Sequence, residues 1–363
     1  MKTILTLCAM GVLLSSCNST SFTINGEIEK LETGKVVLLT SSEEKIDTLA
    51  TANVVNGKFK LNGAVEEATS ATLMVEGTRI MAQLILENEK FDIELSNKNP
   101  QDRKIIGGGV EQGILNEFAE LYEDIMIEQN SMGVAYQEAM QNNDEAKANE
   151  ISEQYTALNQ AFSTSCDSLI SANSNTLAAA QLAQSMTQGA ELEEIEKTYN
   201  LLGEKAKATS AGKSIEKTIT DLKTVAVGKV APDFTLNTPD GKPLSLHSIK
   251  AKIKIVDFWA SWCGPCRGEN PNTVAIYKKY KSKGLEILGV SLDQDGEAWK
   301  KAIKEDKLTW LHVSDLKGWQ SIVTPLYKIN GIPHIIILDE NNVIVAKNLR
   351  GAELEAKIGE LLK

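Results

Sequence analysis

The stretch Val256-Asp257-Phe258-Trp259-Ala260-Ser261-Trp262-Cys263-Gly264-Pro265-Cys266-Arg267 decides the fold of the C-terminal part of this 363-residue chain. It continues an apolar run that begins at Ile253, and such a run is typical of a central strand buried on both faces. The following residues, 264–281, have a helix-like pattern. A strand that leads directly into a Cys-x-x-Cys at the start of a helix indicates redox chemistry.

Helix geometry predicts different roles for the two cysteines. Cys263, at the first turn, faces unpaired backbone N–H groups and the positive end of the helix dipole, which both favour the thiolate. We therefore expect Cys263 to be the nucleophile and Cys266, one turn further in, to attack the mixed disulfide. Gly264 permits the tight geometry, and Pro265 suits the first helical turn because it has no N–H to satisfy.

A Cys-x-x-Cys could also be half of a zinc site, which needs two further Cys or His ligands. The sequence contains no second Cys-x-x-Cys, and His247, His312 and His334 are scattered singly. We therefore expect no metal, and no cofactor besides the redox-active disulfide between Cys263 and Cys266.

The carboxylate of Asp257 stands in the middle of the apolar strand, six residues before Cys263. A carboxylate in such a place is costly unless it serves a function. The alternative is that Asp257 marks a partly exposed strand end.

The pattern after the motif predicts an α/β domain over residues 228–363. Strand-like segments at 285–292, 309–313 and 333–338 alternate with a helix-like segment at 296–306. Residues 343–349 form a hairpin partner, and 352–362 close the chain as a helix. Alternating strands and helices favour a mixed central sheet with helices on both faces.

The preceding part of the chain divides into a β-rich and a helical region. Residues 21–106 alternate like strands, with a hairpin signal at Asn56-Gly57, and predict a small antiparallel sandwich or barrel. Residues 107–226 have the helical period, and their apolar stripe packs on the β domain or forms a homodimer with a second copy of the chain. Cys166 lies on that stripe, so we expect it to be a buried, structural thiol.

The first residues have the pattern of an export signal. Lys2 precedes a short apolar run that is too short to span a membrane, and the run ends at Leu14-Ser15-Ser16-Cys17. Small residues before a cysteine resemble the lipobox of bacterial lipoproteins, so residues 1–16 are expected to be a signal peptide and Cys17 to carry lipid. The alternative is an ordinary secretory signal with an incidental cysteine.

Charge is distributed unevenly along the chain. Residues 228–363 hold 20 Lys and Arg against 16 Asp and Glu, whereas residues 1–227 hold 18 against 33. No basic stripe with interleaved aromatic residues occurs, so nucleic acid is not expected as a partner.

The motif region resembles thioredoxin, and more closely the tethered TlpA-like and ResA-like thiol-disulfide oxidoreductases. The resemblance includes Pro271, Gly331-Ile332-Pro333 and two segments at 231–234 (Ala-Pro-Asp-Phe) and 239–242 (Pro-Asp-Gly-Lys). It covers about residues 228–363. The β-rich region 22–106 is similar to the small domain that precedes such domains in Bacteroides-type lipoproteins.

The resemblance implies further site residues. Asp257 would assist deprotonation of the second cysteine, and Glu269 would be a further acid or base. Trp259 and Trp262 would shape the rim, with Trp262, Gly264 and Pro265 touching the substrate. Pro333 would be the cis-proline of the fold, and it would place the Ile332 backbone where an extended substrate can pair with it.

Together these expectations describe an extracytoplasmic, periplasm-facing, lipid-anchored enzyme that reduces disulfides of periplasmic proteins or apocytochromes and receives electrons from a membrane donor. Disulfide isomerisation is the alternative within the same chemistry. A ligand- or stress-sensing lipoprotein with a subsidiary redox domain is the alternative from another class.

Overall fold

The computed structural model describes residues 20–41 and 45–363. The expected signal peptide and Cys17 lie outside these residues. The chain forms two compact units. One comprises the described residues up to Met186 together with Thr198–Lys213, and the other comprises Thr187–Lys197 together with Ser214–Lys363.

The first unit contains an eight-stranded sheet in the order β6-β5-β2-β3-β4-β1-β7-β8. Neighbouring strands are antiparallel except β1 and β7, which run parallel, so the expected antiparallel domain is a mixed sheet. Asn56 and Gly57 both have positive φ and form the turn between β3 and β4, as the sequence predicts. The strands are β1 (Phe22–Glu29), β2 (Thr33–Ser41), β3 (Ile46–Val55), β4 (Lys58–Gly63), β5 (Thr69–Val75), β6 (Met81–Leu86), β7 (Lys90–Ser96) and β8 (Arg103–Gly107).

Helices follow the sheet along the chain. Two long ones, α1 (Gly109–Gln141) and α2 (Glu145–Ala172), pair as a hairpin, and Asp144 caps α2 by accepting a hydrogen bond from the Lys147 N–H. The shorter helices are α3 (Leu177–Met186), α4 (Leu192–Asn200), α5 (Glu204–Ala208) and α6 (Ser210–Lys223). No helix in the described part of the chain is long and apolar enough to cross a membrane.

The second unit contains the thioredoxin-like domain. A short hairpin of β9 (Thr235–Asn237) and β10 (Pro243–Ser245) leads into a five-stranded sheet in the order β13-β12-β11-β14-β15. The sheet consists of β11 (Ile253–Trp259), β12 (Leu285–Ser291), β13 (Leu311–Val313), β14 (His334–Asp339) and β15 (Ile344–Lys347). The helices are α7 (Gly264–Tyr280), α8 (Gly296–Glu305), α9 (Val323–Tyr327) and α10 (Gly351–Leu361).

The central strand β11 is buried at every position, as its apolar run predicts. It pairs in parallel with β12 and antiparallel with β14, which makes the sheet mixed. One face packs in a core that includes Ile255, Trp259 and Cys266, and the other packs in a core that includes Phe258 and Tyr327. The active-site motif therefore begins at the carboxyl end of the most buried strand.

Candidate active site

Cys263 and Cys266 form a disulfide at the start of helix α7. Cys263 is the N-cap residue, and its Sγ accepts a hydrogen bond of 3.2 Å from the backbone N–H of Cys266. An amide and a helix N-terminus that point at one sulfur stabilise negative charge there after reduction. Both cysteines are nearly buried, with 4% of Cys263 and 2% of Cys266 exposed.

The loop before β14 lies against this disulfide. The Ile332–Pro333 peptide bond is cis, and the Ile332 carbonyl oxygen is 3.8 Å from the Sγ of Cys263. The backbone of Ile332 thus lies beside the sulfur that the sequence marks as nucleophile.

Asp257 is buried in the middle of β11, with 6% of its surface exposed, so it is not a partly exposed strand end. Burial and, to a smaller extent, the nearby Glu269 carboxylate raise the pKa of this carboxyl, against the opposing charge of the Arg350 guanidinium, to about 7. A carboxyl with a pKa near neutrality can take up or release a proton at physiological pH.

Glu269 and Arg350 connect the surrounding elements. One carboxylate oxygen of Glu269, on α7, accepts a 2.7 Å hydrogen bond from the Gly351 N–H at the start of α10. The Arg350 guanidinium donates a 2.8 Å hydrogen bond to the Pro333 carbonyl oxygen. These two bonds attach the cis-proline loop and the active-site helix to the same short segment, residues 350–351.

The turn between β11 and Cys263 is fixed by the buried carboxylate of Asp293. This carboxylate accepts hydrogen bonds from the Ser261 N–H at 3.0 Å, the Ser261 hydroxyl at 2.5 Å and the Ser291 hydroxyl at 2.7 Å. Arg267, one residue after Cys266, donates to the Ser261 carbonyl oxygen and forms an ion pair with Asp306. Charged groups on both sides therefore hold the turn that presents Cys263.

The two motif tryptophans occupy different environments. Trp262 is 56% exposed beside Cys263, whereas Trp259 is 1% exposed and belongs to the core. The expectation that Trp259 shapes the rim is therefore wrong, because β11 is buried on both faces and the Trp259 side chain packs in the core that also contains Ile255 and Cys266.

Other polar groups near the site are also buried. His334, which directly follows the cis-proline, has a buried Nε2 without a hydrogen-bond partner, and burial lowers its pKa to about 4. Among the described residues no group of three or more His, Cys, Asp or Glu side chains could hold a metal ion.

Sequence reasoning left out Asp293 and Arg350. Asp293 follows strand β12 within Ser291-Leu292-Asp293, and a carboxylate at the carboxyl end of a parallel strand is the signal that could have indicated it. Arg350 lies seventeen residues after Pro333 and carries no recognisable motif.

Fold and site together define a thioredoxin-fold protein with a redox-active disulfide. A match to the family described as Redoxin covers residues 226–362. The thiol-disulfide oxidoreductase ResA of a Bacillus cereus strain is 32% identical over 143 residues, which are 39% of this chain and 81% of that protein. ResA of Bacillus thuringiensis subsp. konkukian is 31% identical over 137 residues, 38% of this chain and 77% of that protein.

The chain belongs to the TlpA/ResA-like branch of the thioredoxin family, and it is a thiol-disulfide oxidoreductase. Residues 22–113 match a domain of unknown function, DUF4369. The thioredoxin domain of a thiol-disulfide oxidoreductase from Bacteroides vulgatus is a similar solved structure, with 42% identity over 38% of this chain and 99% of that chain and a TM-score of 0.37.

Proposed function

We propose that the protein is a lipid-anchored, extracytoplasmic protein-disulfide reductase in which Cys263 attacks and Cys266 resolves. The observation that carries this proposal is the position of Cys263 as N-cap of α7, with an amide N–H directed at its sulfur and the cis-proline loop beside it. Cys266 lies one turn into the helix, and both cysteines are nearly buried.

The reaction is two successive exchanges. The Cys263 thiolate attacks one sulfur of a substrate disulfide, which forms a mixed disulfide and releases the other substrate sulfur as a thiolate. The Cys266 thiolate then attacks the Cys263 sulfur, which forms the intramolecular disulfide and releases the second substrate thiolate. Two electrons pass from the enzyme to the substrate, and a membrane thiol donor returns them to Cys263 and Cys266.

The second exchange requires deprotonation of Cys266, and Asp257 is the proposed base. Asp257 lies on the strand face that carries Ile255 and Trp259, and these two residues share a core with Cys266. Because the pKa of Asp257 is raised to about 7, its carboxylate can accept a proton at neutral pH. Burial favours the protonated, neutral form of this carboxyl over the charged form. Glu269 is proposed to raise the pKa of Asp257 through its negative charge. Its own carboxylate is held in place by a hydrogen bond from the Gly351 N–H.

Substrate binding is proposed to use the exposed indole of Trp262, the Gly264-Pro265 turn and the Ile332 backbone. Pro333 supports this by holding the Ile332 carbonyl toward the disulfide. An extended substrate segment could pair with that backbone as an added strand.

The location is proposed from Leu14-Ser15-Ser16-Cys17, which supports lipidation of Cys17 and a periplasm-facing enzyme tethered in the cell envelope. The Gly-Pro pair between the cysteines supports the reducing direction. Apocytochromes and other periplasmic proteins with oxidised cysteines are the proposed substrates.

The test is covalent trapping in the native host. A Cys266→Ala variant is expected to accumulate mixed disulfides with its substrates, whereas Cys263→Ala accumulates none and serves as the matched control. Isomerisation would instead be supported if the trapped proteins contained non-native disulfides and if the wild-type protein restored the activity of scrambled ribonuclease. Equal trapping by both variants would contradict the division of roles.

A further inference from the structure

Three apolar side chains are exposed in the segment that follows strand β13. Leu316 is 40% exposed, Trp319 45% and Ile322 50%. We call their segment, residues 314–322, the 314–322 loop. Exposed apolar patches commonly mark an interaction surface, and tryptophan is among the residues enriched at binding hot spots.

The 314–322 loop lies on the same sheet edge as the disulfide. Strands β11, β12 and β13 are parallel, so the loops after their carboxyl ends meet at one edge. The side chain of Leu316 lies against Gly296, where an added Cβ would come within 3.2 Å of it, and Gly318 lies against Gln294. Residues 294–296 directly follow Asp293, whose carboxylate binds the active-site turn.

Hydrogen bonds hold the backbone of the 314–322 loop. The Asp315 carboxylate accepts from the Lys317 N–H at 3.2 Å and from the Ile322 N–H at 3.3 Å. The Ser314 hydroxyl donates to the Ser291 carbonyl oxygen at 2.9 Å and accepts from the Leu316 N–H at 3.0 Å. A fixed backbone presents the apolar side chains with little ordering entropy left to lose on binding.

Leu316 also has a backbone conformation that its side chain disfavours. Its φ is +56°, in the left-handed region, where a leucine is strained and glycine is favoured. Residues held in such conformations cluster at binding and catalytic sites. An exposed leucine in a strained conformation does not stabilise the fold, so its role is better explained by binding.

We propose that Leu316, Trp319 and Ile322 form a docking surface for the apolar polypeptide segment that flanks the disulfide of the substrate protein. This inference rests on the proposed reductase function and names the part of the substrate that the enzyme recognises. The occupant is argued from continuity with the disulfide, because Cys263 follows β11 and the 314–322 loop follows β13 at the same end of the sheet, where a chain whose sulfur reaches Cys263 can extend across the loop. The enzyme would then bind unfolded or partly folded substrate proteins in preference to folded ones, because apolar residues beside their disulfides are accessible.

The test compares two disulfides of different size. The reduced wild-type protein and a Trp319→Ser/Ile322→Ser double variant are each mixed with insulin and with hydroxyethyl disulfide, and second-order exchange rates are measured. We expect the insulin rate of the double variant to fall by about tenfold, the size of a modest hot-spot loss. The rate with hydroxyethyl disulfide, which has no polypeptide to dock, is expected to stay within about twofold.

Val227→Ser is the matched control, because Val227 is 59% exposed in the same unit but lies outside the 314–322 loop. Leu316→Gly is the second variant: its unfolding temperature is expected to be unchanged or higher, because glycine relieves the strain, while the insulin rate falls. An unchanged insulin rate in both loop variants, or an equal fall with both disulfides, would overturn the docking surface. Failure of the wild-type protein to reduce either disulfide would instead overturn the proposed function.

Discussion

Replacing Asp257 by asparagine is expected to change how the stability of the oxidised thioredoxin-like domain depends on pH. Burial and the Glu269 charge raise the pKa of Asp257 from 3.8 to about 7, against the opposing charge of Arg350. The folded protein therefore holds this proton more tightly than the unfolded chain does. Stability must then fall as the pH rises from about 4 to about 7, and it stays lower at higher pH.

The size of this effect follows from the two pKa values. A tenfold change in a protonation equilibrium corresponds to about 1.36 kcal/mol. The difference between 3.8 and about 7 therefore corresponds to a free energy of unfolding that is about 4 kcal/mol lower at pH 8 than at pH 4, from this one group. An asparagine side chain cannot ionise, so the Asp257→Asn variant should lack this loss and gain stability relative to wild type as the pH rises.

The assay is urea unfolding at several pH values between 4.5 and 8.5, followed by tryptophan fluorescence. All five tryptophans, at positions 259, 262, 299, 310 and 319, lie in the C-terminal domain, so the signal reports that domain. Asp240→Asn is the control, because hydrogen bonds from Lys242 and Thr238 lower the pKa of this exposed carboxyl and predict no such gain. A stability difference between wild type and Asp257→Asn that stays constant within about 1 kcal/mol from pH 5 to pH 8 would refute the reasoning.

Three further predictions concern other parts of the chain. Arg350→Met removes a cation that lowers the pKa of Asp257, so the pH midpoint of mixed-disulfide resolution should rise, whereas Glu269→Gln should lower this midpoint. Stopped-flow exchange over pH 5–9 measures both midpoints, and identical midpoints in the two variants would exclude the charge effect. Cys166→Ala should lower the free energy of unfolding by about 1 kcal/mol, because Cys166 is buried. The variant should leave insulin reduction intact, because burial raises the pKa of the Cys166 thiol to about 11 and keeps it unreactive. A trapped disulfide between Cys166 and Cys263 would contradict this prediction. Cys17→Ala should leave an uncleaved or soluble protein, and normal membrane retention of that variant on fractionation would exclude lipidation of Cys17.

The docking surface and the active-site turn depend on each other through Asp293. This carboxylate is 1% exposed and accepts hydrogen bonds from Ser261 in the turn and from Ser291 at the end of β12. The Ser291 carbonyl oxygen also accepts a hydrogen bond from the Ser314 hydroxyl. The loops after three parallel strands are thus joined by short hydrogen bonds, which fixes the position of Cys263 relative to the surface that we assign to the substrate chain.

By itself the sequence determined the fold of the C-terminal domain and the chemistry at its centre. A buried strand, a helix start and a Cys-x-x-Cys are local signals, because an unbroken apolar run predicts a strand buried on both faces and thiolate stabilisation depends on the first helical turn. The same local reasoning predicted the turn at Asn56-Gly57. The resemblance misplaced Trp259 at the rim, whereas the apolar run of β11 indicates a strand buried on both faces.

Only the tertiary structure decided which distant groups act on the site. Arg350 reaches the Pro333 carbonyl oxygen and the charge of Asp257 through the pairing of β14 with β15, and no sequence spacing encodes that approach. The parallel pairing of β1 with β7 likewise joins strands that are far apart in the chain. The exposure of Leu316, Trp319 and Ile322 depends on how the 314–322 loop crosses the sheet edge, because an apolar residue in a sequence is expected to be buried until the packing around it is known.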